Sequence, residues 1–153
     1  MRSSGSSKAG PMQHSGGAMA QFRTGMVDAV LREIAELLEK LAVSGEPGFI
    51  DLRSMPMTDA DRAELEERLG RGEVEASLDV AGTSEVRETG YAGVWWIRHA
   101  GAGGKVAAEE IAVAEVPEIL KAHHADIAAA ASRLNRDLAE NMPNALKEDA
   151  GDA

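Results

Sequence analysis

The sequence predicts an α+β fold, in which a mostly antiparallel β-meander at about residues 73–116 packs against N-terminal and C-terminal helices. Three observations lead to this prediction. Apolar residues recur at helical spacing from Val27 to Leu41. Five alanines between Ala125 and Ala131 favour a helix near the other end of the chain. Between the two, apolar and polar residues alternate in short segments that glycine-rich turns connect.

The first helix has one apolar stripe, with charged residues on its other side. The stripe consists of Val27, Val30, Leu31, Ile34, Leu37, Leu38 and Leu41. It either packs on the sheet of the same chain or forms a seam with a partner helix in a homodimer. Residues 48–52 then predict a short buried strand. Thr58, followed by acidic residues, indicates the start of a second helix that ends at Gly70.

Four segments predict the strands of the meander: residues 73–80, 83–89, 94–99 and 106–116. Short turns join consecutive segments, so the strands should pair antiparallel. Pro117 can serve as a first helical residue. A longer helix is predicted from Asp126 and should end at residues 141–143.

The length of 153 residues suits one domain with tails. Residues 1–24 are rich in serine and glycine and predict a disordered arm, because they offer almost no apolar surface to bury. Residues 25–140 form the predicted domain, and residues 141–153 form an acidic tail.

Charge and composition exclude several classes of function. The formal net charge is -10, which disfavours binding to nucleic acid and to anionic membrane surfaces. The chain has no cysteine, which rules out disulfides, thiolate metal sites and a cysteine-bound iron–sulfur cluster. The N-terminus has no apolar stretch typical of a secretory signal, so we expect a cytoplasmic protein.

The sequence contains no recognisable catalytic or metal-binding motif. Spacings typical of zinc sites, phosphate-binding loops and serine hydrolases are missing, so we expect no catalytic residue, metal or cofactor. The alternative is a metal-dependent or acid–base enzyme centred on His99, with Glu85 or Glu88. The simpler interpretation of Glu85 and Glu88 is that they form ion pairs with Arg98 on the neighbouring strand.

Trp95 and Trp96 are adjacent in a chain with only 3% aromatic residues. On a strand their side chains point to opposite faces. Either both indoles are buried against helices, or one lies at the surface and serves as a binding anchor, because interfaces are enriched in aromatic residues.

An ordered series of motifs resembles the C-terminal domain of the HupH/HyaF hydrogenase expression/formation proteins. The motifs are LGRGEV at residues 69–74, EVRET at 85–89, GVWWIRH at 93–99 and EVPEIL at 115–120. The resemblance covers roughly residues 49–134. Many members of this family are longer and have two related domains, whereas this chain resembles a single-domain form.

The resemblance implies an accessory, chaperone-like protein of [NiFe]-hydrogenase maturation, with a hydrogenase subunit as its partner. The iron–sulfur small subunit before assembly or export is the favoured partner, and other maturation proteins are further ones. Together with the tryptophan pair, the resemblance indicates a contact surface on the sheet. This predicted surface consists of Glu73, Arg87, Glu88, Thr89, Trp95, Trp96 and His99.

Overall fold

The computed structural model describes residues 23–79 and 81–142. The predicted arm therefore lies outside the described residues except for Arg23 and Thr24. The predicted tail lies outside them except for Asn141 and Met142. The chain divides between Glu115 and Val116 into two compact units, each of which is described by itself.

The first unit contains two helices and a five-stranded sheet. Its elements, in chain order, are α1 (Met26–Ser44), β1 (Gly48–Asp51), α2 (Asp59–Leu69), β2 (Glu75–Asp79), β3 (Thr83–Glu88), β4 (Val94–Ala100) and β5 (Val106–Val113). The strand order is β1-β5-β4-β3-β2, and all neighbouring strands are antiparallel. Strands β2 to β5 form the predicted meander and β1 extends it beside β5, which confirms the α+β class.

The main core lies between one face of the sheet and the two helices of this unit. In the register of the strands, Ile50, Ile111, Trp96 and Arg87 form one row across the sheet. Three residues of the α1 stripe, Val27, Val30 and Ile34, are buried in the cluster that contains this row, together with Leu65 and Leu69 of α2. The other α1 leucines of the stripe pack against the same cluster. The stripe therefore packs within its own chain, which is the first of the two alternatives, and the homodimer stays a prediction.

The start of α2 is held by a network around the buried carboxylate of Asp61. Thr58 and Asp61 form a reciprocal capping box, in which each side chain accepts from the backbone N–H of the other. Thr24, within the predicted arm, donates its backbone N–H to Asp61 Oδ1 at 2.9 Å and its hydroxyl to Oδ2 at 2.7 Å. The folded unit thus includes the last residues of that arm, and it ties them to α2.

This network makes stability sensitive to acid. Burial raises the pKa of Asp61, but hydrogen bonds from Thr24 and Thr58 outweigh burial and hold the pKa below its ordinary value. The unfolded state therefore takes up a proton first as the pH falls. The stabilisation that the ionised Asp61 contributes to folding is complete above the pKa of an unfolded aspartate, about 4. It is lost as the pH falls through the lower pKa that Asp61 has in the folded state.

We expect Asp61→Asn to lower the free energy of unfolding at pH 7 by about 1–3 kcal/mol. The variant should also show a weaker loss of stability than the wild type below about pH 4. Urea unfolding at a series of pH values measures both effects. Asp59→Asn, at an exposed position in the same turn, is the matched control. An unchanged acid dependence in Asp61→Asn would contradict the assignment.

The second unit contains one short and one long helix. Pro117 has an extended backbone, with ψ of 140°, and precedes a 3-10 turn at Glu118–Leu120 rather than an α-helix. Helix α3 (His124–Glu140) begins two residues before the predicted start at Asp126, and its C-cap is Asn141, the first residue of the predicted end. None of the residues of α3 is buried.

Candidate functional site

The seven residues of the predicted surface lie on both faces of the sheet and in an adjoining turn. Arg87 and Trp96 are opposite one another on the face that α1 and α2 cover. Glu88 and Trp95 are also opposite one another, but on the other face, which His99 shares with them. Glu73 and Thr89 lie next to strand ends, where the chain turns.

Two of the sequence motifs, LGRGEV at residues 69–74 and EVRET at residues 85–89, contact each other where the chain turns beside β3. The backbone N–H of Gly72 donates to Glu88 O at 2.9 Å, and that of Gly90 donates to Leu69 O at 2.8 Å. A Cβ atom at Gly72 would lie 2.7 Å from Thr89 O, so the close approach of the two segments requires glycine there. The backbone N–H of Glu73 donates to Glu88 Oε2 at 3.2 Å. The spacing of these motifs therefore reflects one structural element, a loop that is docked against the end of β3.

Arg87 connects α2 to the tryptophan of the core. Its guanidinium carbon lies 5.1 Å from the centroid of the Trp96 ring, and its NH2 group donates to Glu66 Oε1 of α2 at 2.6 Å. Burial lowers the pKa of Arg87, and the carboxylate of Glu66 partly offsets this effect. The ion pair holds α2 beside the sheet.

Both indoles are buried, with 6% of Trp95 and 2% of Trp96 exposed. The exposed anchor was therefore the wrong alternative, and helices α1 and α2 cover the face that carries Trp96. Trp96 Nε1 donates to Glu109 Oε2 at 3.4 Å, and Trp95 Nε1 donates to Ala114 O at 3.1 Å. The opposite face of the sheet is apolar around Trp95, where Val86, Ile97 and Ala112 are also buried.

The structure does not bring His99 next to either glutamate of the alternative enzyme site. Glu85 is opposite Arg98 and thus on the other face from His99. Glu88 is opposite Trp95, four residues from His99, which is about 13 Å along the strand. His99 Nδ1 instead lies 2.7 Å from Ser84 Oγ. Within residues 23–79 and 81–142, no group of three or more histidine and acidic side chains is arranged to hold a metal ion.

Arg98 forms an ion pair across strands, but its partner differs from the expected glutamates of β3. Its Nε donates to Glu109 Oε2 of β5 at 2.8 Å. Arg62 of α2 donates from NH1 to the other oxygen, Glu109 Oε1. Glu109 is only 2% exposed, and a buried carboxylate requires cationic partners, whereas Glu85 is exposed.

The sequence contained a signal for this cluster. Glu109 occupies the same face of its predicted strand as Ile111 and Val113, two residues and four residues further on. A charged residue in the core row of an alternating strand indicates a buried ion pair. Arg62, in a different element and 47 residues away, could not be identified as its partner from spacing alone.

Within the second unit, helix α3 has an uncovered apolar stripe along one side. Ile127, Leu134 and Leu138 are 53%, 61% and 59% exposed. Their spacing of seven and four residues places them on one helix face. None of the helices in the described ranges combines the length and apolarity of a bilayer-spanning segment.

Comparison with known proteins identifies relatives of this chain. Residues 26–141 match the family model of the HupH hydrogenase expression protein, C-terminal conserved region. The chain is 32% identical over 119 residues to the hydrogenase expression/formation protein HupQ of Azotobacter chroococcum mcd 1. This match covers 76% of this chain and 40% of the relative. The chain is also 36% identical over 93 residues to the hydrogenase expression/formation protein HupH of Rhizobium leguminosarum bv. viciae. This second match covers 58% of this chain and 32% of that relative.

A solved structure is similar as well. The hydrogenase expression protein HupH from Thiobacillus denitrificans ATCC 25259 has 44% sequence identity and a TM-score of 0.75. The similarity covers 78% of this chain and 99% of that chain, whereas the matches span 32% and 40% of the two longer relatives. Because the family model matches residues 26–141, from the start of α1 to the C-cap of α3, the chain belongs to the family of the HupH hydrogenase expression protein, C-terminal conserved region.

Proposed function

We propose that this chain is an accessory protein of [NiFe]-hydrogenase maturation that binds a hydrogenase subunit in the cytoplasm before assembly or export. The iron–sulfur small subunit is the proposed partner, and other maturation proteins are further candidates. Two relatives carry the name of hydrogenase expression/formation proteins, which supports the maturation role. The activity is binding rather than catalysis.

The observation that carries the binding role is the exposed apolar stripe of α3. Three large aliphatic side chains on one helix face are each more than half exposed. Such a stripe is typical of a helix that binds another protein, because its burial on binding removes apolar surface from water. The net charge of -10 complements a basic segment, such as a twin-arginine export signal on the small subunit.

The predicted sheet residues contribute to the proposal in two ways. Glu73 is exposed, and Glu88 and His99 are half-buried, so these three side chains are accessible for polar contacts with the subunit. Arg87, Thr89, Trp95 and Trp96 are buried or largely buried. Their proposed role is to hold the strands in the geometry that presents the accessible three.

We expect Leu134→Asp combined with Leu138→Asp to weaken binding of the small subunit at least tenfold, which corresponds to about 1.4 kcal/mol. Two carboxylates on the stripe would have to lose their hydration in an apolar interface. Isothermal titration calorimetry with separately produced large and small subunits measures the effect. Both substitutions are at exposed positions, so circular dichroism and the melting temperature should remain close to those of the wild type.

Ala125→Asp combined with Ala129→Asp is the matched control. These two alanines lie on the opposite face of α3, so the control adds the same charge without touching the stripe. It should leave the affinity within about twofold of the wild type. Equal weakening by both pairs would indicate a charge effect and contradict the stripe as the contact surface. Binding of neither subunit by the wild type would contradict the proposed function itself.

A further inference from the structure

A second candidate site lies in the first unit, at the Glu109 cluster. A cleft of about 470 Å³ lies between helix α2, the segment that connects β1 to α2, and strands β4 and β5. Its lining includes Arg53, Arg62, Arg98, Met55, Met57 and Glu109. The volume falls within the range of about 300–1,000 Å³ that ligand sites occupy.

The cleft is cationic although the protein is acidic. Three arginines line it, against two carboxylates, those of Glu109 and Asp59. The lining therefore has a net charge of +1, in a chain whose formal charge is -10. Charges that line a concave surface concentrate their field within it, so the cleft attracts an anion that the rest of the surface repels.

The buried carboxylate holds two of the arginines in place and leaves most of their donors available. Glu109 accepts from one nitrogen of Arg62 and one nitrogen of Arg98. Arg53 donates from NH1 to Val106 O at 2.7 Å. A guanidinium has five N–H groups, so each arginine uses a minority of its donors in these contacts among the described residues. Guanidinium groups fixed in this way are preorganised for bidentate binding of a carboxylate.

Two methionines make part of the wall apolar. Met55 and Met57 are half-buried and pack against the core cluster. Their flexible thioether side chains adapt to apolar groups of varied shape. Arg53 and Asp59, in contrast, are exposed at the rim. The cleft therefore combines arginines that can bind a carboxylate, an apolar wall and an open rim.

We propose that this cleft binds an acidic peptide segment of a partner protein, through one carboxylate flanked by apolar side chains. The carboxylate lies between the guanidinium groups, and a neighbouring apolar side chain contacts Met55 and Met57. The open rim leaves room for the peptide chain on either side. This inference goes beyond the proposed function, since it concerns a different surface from the α3 stripe and does not depend on which subunit is bound.

The test uses a capped pentapeptide with one central glutamate flanked by leucines, titrated into the full chain and followed by NMR. A peptide with glutamine in the central position is the ligand control. We expect the glutamate peptide to bind at least tenfold more tightly than the glutamine peptide. The shifted signals should be those of the cleft residues. Inorganic phosphate and succinate, titrated separately, show whether the oxyanion alone is sufficient.

Arg53→Gln is the informative variant, because Arg53 is exposed and forms no contact with Glu109 among the described residues. It should weaken binding of the glutamate peptide about tenfold without unfolding the protein. Arg71→Gln removes the same charge at an exposed position outside the cleft and should leave the affinity unchanged. Equal binding of the two peptides, undetectable binding, or full affinity in Arg53→Gln would overturn the proposal. Tighter binding of phosphate or succinate than of the peptide would overturn the assignment to a peptide segment.

Discussion

Trp96→Ala should lower the free energy of unfolding by about 3–5 kcal/mol, the range measured for removal of a large aromatic side chain from a core. The Trp96 side chain lies in the centre of the sheet row, beneath both helices of the first unit, and only 2% of it is exposed. Its removal leaves a cavity, deprives Glu109 of a hydrogen-bond donor and removes the ring on which Arg87 stacks. All of these interactions involve the Trp96 side chain, so the single substitution removes them together.

Urea unfolding followed by circular dichroism measures this change. Trp96→Phe should have a smaller effect, since the phenyl ring keeps much of the volume and the aromatic face for Arg87. Ile127→Ala, at an exposed position of α3, is the control and should change stability by less than about 0.5 kcal/mol. A loss below 1 kcal/mol in Trp96→Ala would show that the row across the sheet is not the centre of the core.

Replacing both arginines around Glu109 is the second change with a large expected effect. We expect Arg62→Met combined with Arg98→Met to cost about 3–5 kcal/mol at pH 7, because a carboxylate that is 2% exposed would lose both cationic partners. Each single substitution should cost less, since the other arginine still neutralises the carboxylate. Denaturant unfolding of the three variants under identical conditions separates these cases.

Adding Glu109→Met to the double variant should restore most of the lost stability. The triple variant buries no charge at this position, and buried ion pairs can often be exchanged for apolar residues of similar size without net loss. The comparison therefore measures the cost of the unpaired charge rather than the loss of arginine packing. A triple variant no more stable than the double variant would contradict this explanation.

The strands and helices could be predicted because their residues repeat with the period of the element. The α1 stripe and the alternation in β2 to β4 placed each element within a few residues of its observed bounds. Pro117 was harder to interpret, because the same residue can start an α-helix or stand in extended backbone before a 3-10 turn. Local sequence does not distinguish these outcomes.

The candidate sites were less predictable than the elements. Alternation showed that Trp95 and Trp96 point to opposite faces, but it left open whether both faces are covered. Burial of both indoles depends on what packs on each side of the sheet, which is a property of the whole chain. The arginine-lined cleft was missed because it joins a connecting segment, a helix and two strands that are separated in sequence.

The sequence by itself determined which residues share a face, because the periods of helices and strands follow from backbone geometry. It thereby placed the residues of the α1 stripe on one side of that helix and the two tryptophans on opposite faces of their strand. Only the tertiary structure decided which distant groups meet: Thr24 with Asp61, Arg62 with Glu109 and Glu66 with Arg87. The physical reason is that these pairs join separate elements, and their distances depend on how helices dock on the sheet rather than on any local repeat.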